Sequence, residues 1–324
     1  MNFMTTIINN PKTSSSQCPL CGATGLFSHK GRDLLYDKIE QYTYMKCTRC
    51  SAEYQHPMPD SETINTFYPD VYYEEITRKK KYSLVKQSVL KYKYNYTHIQ
   101  VPLFFKIVAP IISLFSYKSS IPFVPNSRGL DIGCGNGKFM SSMNKLGWKF
   151  EGVEFSSVAV DICHKAGLQV FHGELKAASF ENNSFDLVSA RHLIEHIPNP
   201  EVLFKEISRI LKPKGQLVIR TPSSRALGRK WFGLNWFPDD IPRHLILFNL
   251  KNLNMLANKH NMYPVDTKTF ASPRAILNSI DYLTGNKKKP SNKRKLRRFF
   301  AKFFVSIATL MNKGEELFVI YEKK

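Results

Sequence analysis

Cys18-Pro-Leu-Cys21 and Cys47-Thr-Arg-Cys50 are two C-x-x-C pairs, and each can grip one tetrahedral cation from a tight turn. Four thiolates would close a structural zinc site with no open position for water or substrate, so this centre would hold a small lobe without doing chemistry. A second group is the turn Gly133-Cys-Gly135-Asn-Gly137, where the backbone can bend sharply and a ligand can come closer than a Cβ permits. Asp131 precedes that turn inside an apolar run, and Glu154 ends the next run, where a carboxylate can accept hydrogen bonds from both hydroxyls of a ribose. Third comes His192-Leu-Ile-Glu195-His196. Its spacing resembles a metal site, although the order differs from the H-E-x-x-H of zinc proteases; in the plainer reading Glu195 and His196 secure the turn by hydrogen bonds. His192 is a general-base candidate, because histidine titrates near working pH. In the fourth group, from Trp231 to His244, Trp236 suits stacking on a sugar or aromatic ring, Arg243 suits a phosphate or carboxylate, and His244 is a second candidate base. Plain packing is the alternative for the tryptophans.

Periodicity predicts the elements that position these groups. Apolar runs at Gly129–Ile132, Lys149–Val153, Leu168–Phe171, Phe185–Ala190 and Gln216–Arg220 read as strands, with helical segments in the intervals. That alternation predicts an α/β fold with a doubly wound parallel sheet. Ligands in such sheets sit at the carboxyl ends of the strands, which selects Gly133, Gly135, Glu154, Phe155, Glu174, Leu175, Ala190 and His192. After the fourth strand, Asn199, Pro200 and Glu201 give a helix start with a cap, a first-turn proline and an acid at the positive end. Strand-like Gln41–Met45 suggests hairpins around the metal. The expected division is a tail and four-cysteine module over 1–56, a helical linker or lid over 57–125, and a catalytic domain over 126–324.

A formal charge of +21 implies affinity for something anionic, whether nucleic acid, a lipid surface or a phosphorylated substrate, and does not choose among them. Six cysteines without a secretory leader at the start of the sequence point to a reducing, cytoplasmic setting. The runs Val101–Phe115 and Phe299–Met311 are interrupted and short for crossing a membrane, yet usable for lying on one. The second follows a basic tract from Lys287, so peripheral contact with anionic lipid is expected, against a packed helix with a solvated basic collar.

The run LDIGCGNGKFMSSMNKLGWKFEGVEFS, with the later FDLVSARHLIEHIPNPEVLFKEISRILKPKGQLVIRTPSS, resembles the class I S-adenosylmethionine-dependent methyltransferases. The resemblance implies a Rossmann-like, seven-stranded sheet and S-adenosylmethionine as cofactor. It also implies that Asp131 is the acid of D-x-G-x-G-x-G, that Gly133 and Gly135 admit the methionine end, that Glu154 binds the ribose, and that Glu174 and Leu175 lie near the adenine. Cys134 reads as a packing residue, since methyl transfer needs no covalent intermediate. The P-R-H-L element and the paired cysteines are similar to zinc-ribbon methyltransferases of bacterial polysaccharide and secondary-metabolite pathways. The expected acceptor is therefore a small molecule or glycan, foremost a sugar hydroxyl of a surface polysaccharide or its precursor. The alternatives are an RNA methyltransferase using the ribbon and basic surface, and a cofactor-binding scaffold without turnover.

Overall fold

The computed structural model describes residues 16–68, 82–115, 121–285 and 294–324. Its first strands are β1 (Gly25–Arg32), β2 (Gln41–Cys47) and β3 (Glu53–Gln55), followed by α1 (Ser61–Asn65), α2 (Leu84–Lys93) and α3 (Phe105–Phe115). The alternating part then runs β4 (Arg128–Ile132), α4 (Lys138–Asn144), β5 (Lys149–Glu154), α5 (Ser157–Lys165), β6 (Val170–His172), β7 (Phe185–Arg191), α6 (Pro200–Ile210) and β8 (Leu211–Pro222). It closes with α7 (Leu227–Phe232), β9 (Ile246–Leu247), α8 (Leu250–Asn258), β10 (Met262–Phe270), α9 (Pro273–Thr284), α10 (Arg294–Leu310) and β11 (Glu316–Lys323).

A seven-stranded sheet has the order β10-β11-β8-β7-β4-β5-β6. Strands β4, β5 and β6 pair in parallel, whereas β11 is antiparallel to both its neighbours, β8 and β10. This is the expected doubly wound α/β fold. It contains two strands, β10 and β11, beyond the five that periodicity announced.

Contacts divide the chain into two compact units, residues 1–72 with 190–324 and residues 73–189. The expected boundary at residue 56 therefore does not isolate the cysteine lobe. Strand β3 pairs with β9, nearly two hundred positions on, which completes a four-stranded sheet β1-β2-β3-β9. Tyr44 on β2 is fully buried and donates its hydroxyl to the His244 carbonyl at 2.7 Å. Arg229 on α7 reinforces the join by donating to both Glu53 carboxylate oxygens and to Asp239, at 2.8–3.2 Å.

The second unit is organised by its glycine turn. Gly137 caps α4 with φ 73°, and a Cβ there would lie 2.4 Å from Leu168 Cδ1 and 2.8 Å from Cys163 Sγ. Only glycine meets both demands without strain. Cys134, 6% exposed, packs where a Cβ on Gly152 would meet its sulfur at 2.7 Å, which agrees with a packing role. Asp131 is 1% exposed and accepts the hydroxyl hydrogen of Ser189 in a short contact, so its carboxylate ties β4 to β7.

Candidate functional site

In the second unit, the carboxyl ends of β4 and β5 make a cradle around one acid. Gly135 has φ 53° and donates its N–H to Glu154 Oε2 at 2.7 Å, while Phe155 and Ser156 both donate to Oε1 at 2.9 Å. Glu154 is 5% exposed, so three backbone donors fix the plane of a nearly buried carboxylate at a strand end. An acceptor-only group held there fits a diol, whose hydroxyls are donors. That chemistry suits the ribose of a nucleoside cofactor, and Gly133 (φ 65°) and Gly135 leave the turn free of side-chain bulk. The Gly173 N–H donates to the Glu154 carbonyl at 2.9 Å, which brings the segment carrying Glu174 and buried Leu175 to the same strand end. Glu174 is half-buried; Ala190, on β7, belongs to the first unit and is fully buried.

In the first unit, the turn after β7 places His192 with φ 52°, a left-handed conformation uncommon for a residue with a Cβ. Its N–H donates to the Arg220 carbonyl at 2.7 Å, and its side chain is 45% exposed with Nε2 3.4 Å from Glu316 Oε1. Glu195, three residues on, is 1% exposed; its Oε2 accepts the Thr221 hydroxyl hydrogen at 2.9 Å. Burial raises its pKa, but the neighbouring His192, His196 and His244 outweigh that and bring it to about 2, so it stays ionised. His196 and His244 meet edge to face with ring centroids 4.7 Å apart.

Three of the expected roles need correction. Arg243 does not await an acceptor phosphate. It is 1% exposed and donates to Asp33 at 2.7 Å and to Asp240 at 2.7 Å, beneath the Tyr36 ring at 5.1 Å. Its guanidinium is occupied by internal carboxylates. His244 is no exposed base: it is 7% exposed, its Nδ1 donates to the Pro238 carbonyl at 3.0 Å, and burial lowers its pKa to about 4. Trp236 is 3% exposed, stacks on Phe232 at 5.8 Å and covers Gly228, where a Cβ would stand 2.1 Å from the indole. It packs a core cluster, while Trp231, 69% exposed, presents its ring to solvent. Sequence reasoning passed over Asp33, Tyr68 and Thr221, and it preferred a hydrogen-bonding role for Glu195 over the metal-site spacing of its turn. The signal for Glu195 was an acid inside the otherwise apolar Leu-Ile-Glu-His-Ile turn.

The cysteines converge as their spacing predicts. Cys18 and Cys50 sulfurs are 3.6 Å apart, Cys21 and Cys47 sulfurs 3.4 Å, and all four lie within 4.8 Å of one another. A tetrahedral zinc with bonds of about 2.3 Å spaces its sulfurs at about 3.8 Å, so the four thiols fit that ion. Ser51, where a second knuckle often has glycine, takes φ 58° and preserves the turn.

Residues 106–266 match a family model described as a methyltransferase domain. The chain is 30% identical over 122 residues to a ubiquinone biosynthesis O-methyltransferase of Xanthomonas oryzae, covering 34% of this chain and 51% of that protein. It is 30% identical over 109 residues to a mitochondrial ubiquinone biosynthesis O-methyltransferase of Schizosaccharomyces pombe, covering 31% of this chain and 39% of that one. The chain thus spans about half the length of the curated relatives it matches. A solved structure of a SAM-dependent methyltransferase from Archaeoglobus fulgidus is similar with a TM-score of 0.43 and 22% identity, covering 61% of this chain and 86% of that one.

Proposed function

We propose that this chain, whose core is a class I S-adenosylmethionine-dependent methyltransferase domain, transfers a methyl group to a hydroxyl of a small-molecule acceptor. The observation that carries the reading is the Glu154 cradle, a buried carboxylate fixed by three N–H groups at the strand end where a ribose diol is received. The bound donor supplies a methyl group on a sulfonium, open to in-line displacement. The chain's own residues do the rest: Glu154 and Gly135 orient the donor, and half-exposed His192 takes the acceptor proton. A hydroxyl acceptor matches the O-methyltransferase names of the relatives above.

The finer reading is a sugar hydroxyl of a surface polysaccharide or its activated precursor. The charge of +21 suits a phosphorylated acceptor, and exposed Trp231 suits a sugar ring. The four cysteines hold zinc as a structural centre in this reading. The test is transfer of labelled methyl groups from S-adenosylmethionine into fractionated extract of the source organism. Label in the glycan or sugar-nucleotide fraction is expected. Label confined to RNA would overturn the acceptor reading, and the basic surface would become the recognition face.

The chain also has a surface suited to anionic lipid. Among the described residues no helix is long and apolar enough to cross a membrane. On α10, Ala301, Phe304 and Ala308 are buried, whereas Leu296, Phe299, Phe300, Phe303 and Leu310 are each more than half exposed beside Arg298 and Lys302. An apolar exposed stripe flanked by cations fits the interface of an anionic bilayer. The tract at 287–293 lies outside the described residues. Flotation with anionic vesicles should carry the chain upward in a salt-sensitive way, and Phe299→Ser with Phe303→Ser should abolish it. Equal flotation of that variant would rule α10 out.

A further inference from the structure

The cluster of buried Glu195, buried His244 and partly exposed His196 has a hydrogen-bonding pattern that hydrogen bonds alone leave incomplete. His244 Nδ1 lies 3.0 Å from the Pro238 carbonyl and His196 Nδ1 lies 2.9 Å from the Arg243 carbonyl. A carbonyl only accepts, so both Nδ1 atoms carry hydrogen and both Nε2 atoms present lone pairs. The Tyr68 oxygen, 2.9 Å from His196 Nδ1, then shares that same hydrogen as a second acceptor. The third member is the Glu195 carboxylate, and its Oε1 is buried without a hydrogen-bond partner. His192 Nδ1 stands 3.6 Å from this oxygen and His244 Nε2 stands 4.0 Å from it, both beyond hydrogen-bond reach.

One ligand atom from each of Glu195, His196 and His244 lies within 4.8 Å of the others. Three acceptors converging around a carboxylate oxygen that is buried and unpartnered, with no donor among them, are unfavourable unless a cation lies between them. We propose that these three residues bind a divalent transition-metal ion, with zinc as the ion of best fit. Two imidazoles and a carboxylate are a donor set for that class of ion, and they are separate in space and chemistry from the four thiolates. The surroundings are those of metal ligands. Each imidazole is oriented by a backbone carbonyl on its far nitrogen, and Thr221 holds the second oxygen of Glu195. Three protein ligands would leave a coordination position open, and the half-exposed His192 has its Nδ1 3.6 Å from the Glu195 oxygen. The inference does not depend on which acceptor is methylated.

Cobalt(II) titration of the full chain, stripped with chelator under reducing conditions, tests this. Cobalt at the cysteine site absorbs through thiolate charge transfer, whereas cobalt on oxygen and nitrogen shows only weak d–d bands. The wild-type chain should show both classes. Glu195→Gln and His244→Gln should each lose the weak class and keep the thiolate band, whose survival reports that the surrounding fold is intact. A wild-type chain with no cobalt outside the thiolate class would overturn the proposal and leave a proton as the cation in this cluster. A second class undiminished in both variants would equally overturn it.

Discussion

Arg243→Ala should destabilise the fold by about 3–5 kcal/mol, read as a lower midpoint in urea. The guanidinium is the cation of an internal triad. It donates through Nη1 to Asp33 at 2.7 Å and through Nη2 to Asp240 at 2.7 Å, and it is 1% exposed. Asp33 is as deeply buried and lies 210 positions earlier, so the pair joins the hairpin lobe to the loop before β9 inside one unit. Removing the arginine leaves carboxylate charge in a place where water cannot reach it. Arg243→Lys should recover only part of the loss, because an ammonium cannot serve both acids with a planar fork. Pairing Arg243→Met with Asp33→Leu should recover more, since both buried charges then go together. A stable Arg243→Ala chain that lost only acceptor affinity would restore the substrate-binding role.

How much of this was legible in the sequence depends on how local each signal was. The glycine turn, Glu154 and the C-x-x-C pairs are short-range patterns, and each lies where its spacing placed it. Strand β10 was not, because Met262–Phe270 carries Pro264, Asp266 and Lys268 and alternates weakly, as an edge strand does. The misread roles of Arg243 and Trp236 have one cause. Composition marked their loop as a binding loop, but burial depends on partners far away in sequence: Asp33 for the arginine, and Ala275, Ile276 and Phe304 of the same core cluster for the tryptophan. The meeting of His244 with Glu195 and His196 is likewise tertiary, since a loop from beyond β8 returns to the turn after β7.

The donor site yields the other large effect. Glu154→Ala should weaken S-adenosylmethionine binding by roughly 100-fold or more, because two hydroxyl donors lose a charged acceptor and each such bond contributes about 1.5–3 kcal/mol. The N–H of Gly135 also loses its partner, so the turn that admits the donor loosens. Glu154→Gln should fall between the two, since the amide keeps one acceptor and no charge. The decisive measurement is calorimetric titration of S-adenosylmethionine into the purified wild-type chain and into Glu154→Ala, with circular dichroism to show both folded. One site per wild-type chain, with the variant at least roughly 100-fold weaker, is the predicted result. A folded wild-type chain that binds no S-adenosylmethionine, or a variant that binds it equally well, would contradict the account at its centre.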